Sequence, residues 1–152
     1  PDDLSEEKII DNSQMIDSID EINADSQRLS YSSDIFNKQK KSPSIEEIKD
    51  KISAEVNNLV EWTLRCEGLN FLQFESQLIN HIFALAKLFV LLFFAKREQT
   101  LRANGDLPQG YKWQTPRSRL LGTFFGKVRY WRSYLYCKTK SGGYYPLDLS
   151  FS

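Results

Sequence analysis

From Ile82 to Ala95 the chain runs fourteen residues with one polar interruption, Lys87. A helix that is apolar on nearly all sides must be covered, either by other protein or by lipid. A bilayer span takes about twenty apolar residues, whereas this run stops at Lys96 and its backward extension takes in Asn80 and His81. Its length therefore fits a core helix, or one that packs on a missing partner, and no membrane is expected. The surplus of apolar surface points to an oligomer interface or to the remainder of a larger protein, met through Ile82 to Phe94.

Asn70 is placed to cap this helix, which starts at Phe71 and continues through Leu78, Ile79, Ile82, Phe83, Leu85, Leu88, Phe89, Leu92 and Phe93 into Lys96 and Arg97. Upstream, Ser44 and Glu47 have capping-box spacing directly after Pro43, and Ile45, Ile48, Ile52, Val56, Leu59, Val60 and Thr63 recur at helical intervals. This predicts a helix over about 45–67, with Gly68 as a left-handed stop. The short connector Gly68-Leu69 makes residues 44–103 a helical hairpin. Residues 1–43, rich in Asp, Ser, Asn and Gln with isolated Ile residues, are expected to form a disordered acidic arm.

Gly105, Pro108, Gly110 and Pro116 mark residues 104–118 as a linker. Beyond it the period changes. Arg119 to Phe125 and Lys127 to Cys137, flanking Gly126, read as an antiparallel hairpin, so residues 119–152 form a small β region. Alternation sets Val128, Tyr130, Arg132, Tyr134 and Tyr136 on one face and Lys127, Arg129, Trp131, Ser133 and Leu135 on the other. After a turn at 138–143, Tyr144 to Leu147 is expected as a short third strand, held to an edge or strand end by Pro146. The expected class is α+β: a two-helix hairpin plus a small antiparallel β-sheet.

Formal net charge is zero, with 20 basic and 20 acidic residues, but the balance shifts along the chain. Residues 1–43 hold ten acids and five bases, residues 44–98 eight and six, and residues 99–152 two acids against nine bases. Arg117, Arg119, Lys127, Arg129, Arg132 and Lys138 are candidate phosphate contacts, with Trp131 and Tyr134 as rings that stack on bases or brace the arginines. A two-stranded ribbon also fits the major groove of a duplex. The plainer reading is a small sheet with aromatics inside and solvated charges outside.

Other chemistry finds little support. Cys137 sits where a zinc ribbon would begin, but position 140 is a lysine and three of four ligands are missing, so no metal is expected. Cys66 reads as a core residue, and His81, the only histidine, as a helix-surface or core residue. Asp106 and Asp148 read as isolated loop acids, while Glu46, Glu47, Asp50 and Glu61 spread over an exposed helix face. Ser141-Gly142-Gly143 lacks the following helix of a phosphate loop. The expectation is a protein that is no enzyme, takes no cofactor and has no small-molecule substrate. Two cysteines and no apolar signal segment fit the cytoplasm, and Pro1 with Met15 as the single methionine fits a processed or partial product.

The segment from Arg119 to Leu149 resembles the N-terminal region of bacterial insertion-sequence transposases of the ISKra group, related to the ISLre group. Thr123, Phe125, Gly126, Val128, Arg132, Tyr134, Pro146, Leu147 and Asp148 carry the likeness. The helical region from Ile45 to Arg97 is similar to the long apolar helices that precede this motif. Many members place a CxxC-like ribbon after the hairpin, and here Cys137 stands alone. The resemblance implies the DNA-binding and assembly region of a truncated transposase, whose catalytic acids would lie in a downstream ribonuclease-H-like domain. Its partner would be DNA at the element ends, placing it on the nucleoid when bound. Two rivals stand beside it: a helical self-association module, and a decayed reading frame without function.

Overall fold

The computed structural model describes residues 41–105 and 107–151. All but the last three positions of the expected acidic arm lie outside those residues. The order is α1 (Ile45–Leu64), a 3-10 turn (Cys66–Gly68), α2 (Phe71–Asn104), β1 (Tyr111–Trp113), β2 (Arg117–Thr123), β3 (Gly126–Arg132), β4 (Leu135–Cys137), β5 (Gly142–Tyr144) and α3 (Pro146–Leu149). This is an α+β fold of a helical hairpin and two antiparallel sheets: β2 pairs with β3, which packs on the hairpin, and β4 lies between β1 and β5.

Both helices begin as their capping residues dictate. Ser44 Oγ accepts from the Glu47 amide at 3.1 Å. At α2 the box is reciprocal: Asn70 Oδ1 accepts from the Gln73 amide at 2.9 Å, and the Asn70 amide donates to Gln73 Oε1 at 3.2 Å. The end of α1 differs from expectation. It stops at Leu64, and the chain tightens into 3-10 geometry, with the Arg65 amide donating to the Trp62 carbonyl and the Leu69 amide to that of Cys66, both at 3.0 Å. Gly68 lies within that turn, and among the described residues only Ser141, Gly110 and Gly126 have positive φ. The chain closes the hairpin without a left-handed residue.

The packed face of α1 is also rotated from the expected one. Ile48, Glu55 and Trp62 are buried with Ile52 and Leu59 beside them, while Val56 and Val60 are exposed. Trp62 turns inward, its ring stacked on Phe74 at 5.4 Å and tilted against His81 at 4.1 Å. His81 is therefore a core residue of the hairpin. Glu55 enters with its charge matched by Lys51 at 3.1 Å.

A second core joins α2 to β3. Leu88, Leu91 and Phe94 pack with Ile48, Val128, Tyr130, Trp131 and Leu147. β3 follows α2 in the same direction: Gly126 abuts Lys87, Tyr130 stacks on Phe94 at 4.6 Å, and the Ser133 amide donates to Glu98 Oε1 at 2.7 Å. Gly126 has φ +118°, a conformation that favours glycine, and it sits against the end of the Lys87 side chain.

The linker carries structure of its own, because β1 pairs with β4 in the register Tyr111↔Cys137, Lys112↔Tyr136, Trp113↔Leu135. The long second strand is broken at Ser133 and Tyr134, and the third strand is Gly142–Tyr144. Pro146 opens a short helix rather than a strand, as suits a residue without an N–H at the first helical position. Gly143 is dictated by contact: a Cβ there would lie 1.9 Å from the Leu135 carbonyl oxygen.

α2 outgrows the run that marks it. By length and composition it is a helix able to cross a membrane, and 28% of its most apolar window is buried. The same helix carries β3 and α1 on its packed side, with Glu55 and the charged groups described below attached to it.

Candidate nucleic-acid interface

Cross-strand register sorts the basic residues of the β2–β3 ribbon. Arg117↔Arg132, Arg119↔Tyr130 and Leu121↔Val128 share one face, and Ser118↔Trp131, Leu120↔Arg129 and Gly122↔Lys127 share the other. The first face carries Val128 and Tyr130 into the core, so Arg119 and Arg132 stand at the rim of the packed side.

There they meet Asp148. Arg119 Nη1 donates to Asp148 Oδ2 at 3.2 Å, Arg132 Nη1 donates to the same oxygen, and the Tyr130 hydroxyl donates to Oδ1 at 2.8 Å. The Arg132 guanidinium also lies 3.7 Å from the Tyr145 ring centroid. Asp148 is thus no isolated loop acid: it fastens α3 to the ribbon. Arg132, with its side chain 14% exposed, is committed to that clamp, while Arg119, half exposed, is held more loosely. Sequence reading missed the clamp because an ion pair spanning sixteen residues in one case and more in the other leaves no local spacing signal.

Trp131 belongs to the core at 5% exposure and lines a cavity of about 400 Å³ with Pro43, Leu91, Arg102 and Ser133. Of the two roles expected for it, stacking on bases or bracing, its burial fits bracing: Tyr130 and Trp131, of opposite parity on β3, both lie in the core. Tyr134, half-buried, packs on Tyr145 at 4.8 Å and Tyr136 at 6.4 Å, so it braces the sheet.

What remains outward is a smaller basic set. Arg117, Lys127 and Lys138 are exposed, and Arg129, half-buried, donates to Ser118 Oγ at 3.2 Å. The structure adds Lys112, exposed on β1 beside Tyr136. Its signal was the alternation Tyr111-Lys112-Trp113, hidden among helix breakers. From Tyr111 to Phe151 eight basic residues face one acid, Asp148. Since that acid is spent on Arg119 and Arg132, the outward set carries uncompensated positive charge.

Burial and the Asp148 hydrogen bond push the Tyr130 hydroxyl above its ordinary value. Cys137, buried, lies 3.2 Å from Thr139 Oγ1, and hydrogen bonds from Thr139 and Lys140 lower its thiol. Among the described residues no three of His, Cys, Asp and Glu come together as metal ligands. No family model matches the chain, and no curated protein or solved structure matches it significantly.

Asp148→Asn is expected to cost about 2–3 kcal/mol in urea unfolding, because it leaves the Arg132 charge without its partner; adding Arg132→Met recovers part of that loss. Equal stability of Asp148→Asn and the parent chain would contradict the clamp. Tyr130 also predicts a pH dependence. Its folded value lies above the unfolded value of about 10, so its contribution is whole below pH 10 and is lost as pH rises through the raised value. Melting temperature should therefore fall more steeply above pH 10 in the parent than in Tyr130→Phe, and parallel slopes would refute the assignment.

Proposed function

We propose that this chain is a DNA-binding and assembly region of an ISKra-type transposase, non-catalytic by itself and acting in the cytoplasm on the ends of its element. The observation that carries the reading is the outward set Arg117, Lys127 and Arg129 on the β2–β3 ribbon, with Lys138 just after β4, while Asp148 on α3, the one acid from Tyr111 to Phe151, is taken up by Arg119 and Arg132. Lysine and arginine neutralise phosphates and release condensed counterions, which gives sequence-independent affinity that falls as salt rises. Lys112 extends the set. Arg119 contributes through its exposed half, while Arg132 and Trp131 hold the ribbon in shape and leave the direct contact list. Tyr134 likewise acts by bracing.

The likeness in Thr123 to Asp148 supports the transposase reading, and the fold gives five of its residues a physical role. Gly126 is required by the positive φ of its turn, Arg132 and Asp148 pair with each other, and Pro146-Leu147 starts the helix that presents Asp148. A ribbon so braced meets a duplex without reorganising, which limits the entropy lost on binding.

Fluorescence anisotropy with labelled duplexes, one carrying the element ends and one unrelated, tests this. Binding should weaken steeply with salt, and the triple variant Arg117→Glu, Lys127→Glu, Arg129→Glu should lose at least about tenfold in affinity and about 2–3 units of salt slope. No binding to either duplex at low salt, or affinity unchanged in the triple variant, would end the proposal.

A further inference from the structure

α2 has two apolar faces. His81, Ala84, Leu88, Leu91 and Phe94 are buried against α1 and β3. On the other side Leu72 (72% exposed), Ile79 (48%), Ile82 (43%), Phe89 (51%) and Phe93 (54%) face outward. Their spacing is regular: Leu72, Ile79, Ala86 and Phe93 recur every seventh residue, and Ile82 and Phe89 fall three after Ile79 and Ala86. At 3.6 residues per turn these positions fall within roughly a 100° arc. A stripe alternating at three and four residues is the seam by which one helix packs along another. Lipid would ask for no such register, and the packed half of α2 would drag the Asp148 clamp and Glu55 with it into a bilayer.

We propose that this stripe is the interface of an antiparallel dimer of the chain, with its two-fold axis at Ala86. The stripe is complementary to itself in that direction. Ile79 of one copy falls beside Phe93 of the other, Ile82 beside Val90 with Phe89 next to it, and Leu72 beside Thr100. Ala86, the one small residue on the seam, meets its own counterpart at the crossing, where close approach of the two helices is required. Charge fixes the direction: exposed Glu75 lies against Lys96 and Arg97 of the second copy, whereas a parallel pair would set Glu75 on Glu75 and Lys96 on Lys96. The receiving surface is an open, shallow strip of the helix itself, formed by Phe89, Leu92, Phe93, Lys96, Arg97 and Thr100. The side chains of Ile79 and Ile82 from the second copy lie against it.

This dimer stands independently of the DNA reading, since none of the ribbon's outward basic residues lies on the seam. Sedimentation equilibrium of the whole chain should give a dimer at micromolar concentration. Phe89→Glu, at an exposed position outside the core, should weaken association at least about a hundredfold while leaving the melting transition of the monomer in place. Glu75→Lys should weaken it about tenfold, and adding Lys96→Glu should restore it. For direction, Ala86→Cys should form an intermolecular disulfide on oxidation, and Leu72→Cys should form one only when Thr100→Cys is also present. A monomer at these concentrations, a dimer insensitive to Phe89→Glu, failure of the charge swap to restore association, or disulfides through Leu72→Cys alone would overturn the proposal. So would a monomer that partitions into phosphatidylcholine vesicles through this face, which would make lipid the occupant.

Discussion

The packing of β3 along α2 is the interaction on which the rest depends. A strand advances about 3.3 Å per residue and a helix about 1.5 Å, so Gly126 to Ser133 and Lys87 to Arg102 cover nearly the same distance. Contacts at both ends and in the middle can therefore all be made: Gly126 on Lys87, Tyr130 on Phe94, and Ser133 on Glu98 and Arg102. Once β3 lies there, β2 follows by pairing and α3 is drawn in through Asp148 and Leu147. α1 closes the other end through Trp62. The apolar run in α2 is thus half explained by this core and half left facing outward.

That geometry also decides which charges are available. Basic residues interleaved with aromatics look equivalent along the chain, but β3 presents one edge of its face to α3 and the other to solvent. Arg132 falls under Tyr145 and against Asp148, whereas Lys127 and Arg117 stay in water. A single acid thereby splits the basic segment into an internal brace and an outward surface.

Much of the fold is legible before any coordinates. The apolar run marks the central helix, the Asn70 cap marks its start, and the change of period after Gly105 marks the sheet. What alternation cannot supply is which of two mixed faces packs. Trp131 and Lys127 share a parity, yet one is core and the other exposed, because only a strand's meeting with a particular helix turns parity into burial. β1 was hidden since three residues between breakers carry too little pattern to stand out, and it forms only because β4 offers it an edge. Val56 and Val60 mislead for a related reason: Trp62, larger than either, determines how α1 rotates on its neighbour.

Residue-resolved amide exchange of the intact chain at neutral pH tests the role of α2 most directly. If β3 and α2 form one cooperative unit, the amides of Ala84 to Phe94 and those of Val128 to Trp131 share the slowest exchange and a common opening free energy. Exchange in β3 faster than in α2 by more than about a hundredfold, on the scale of local opening, would mean that the ribbon opens without the helix and would contradict the account.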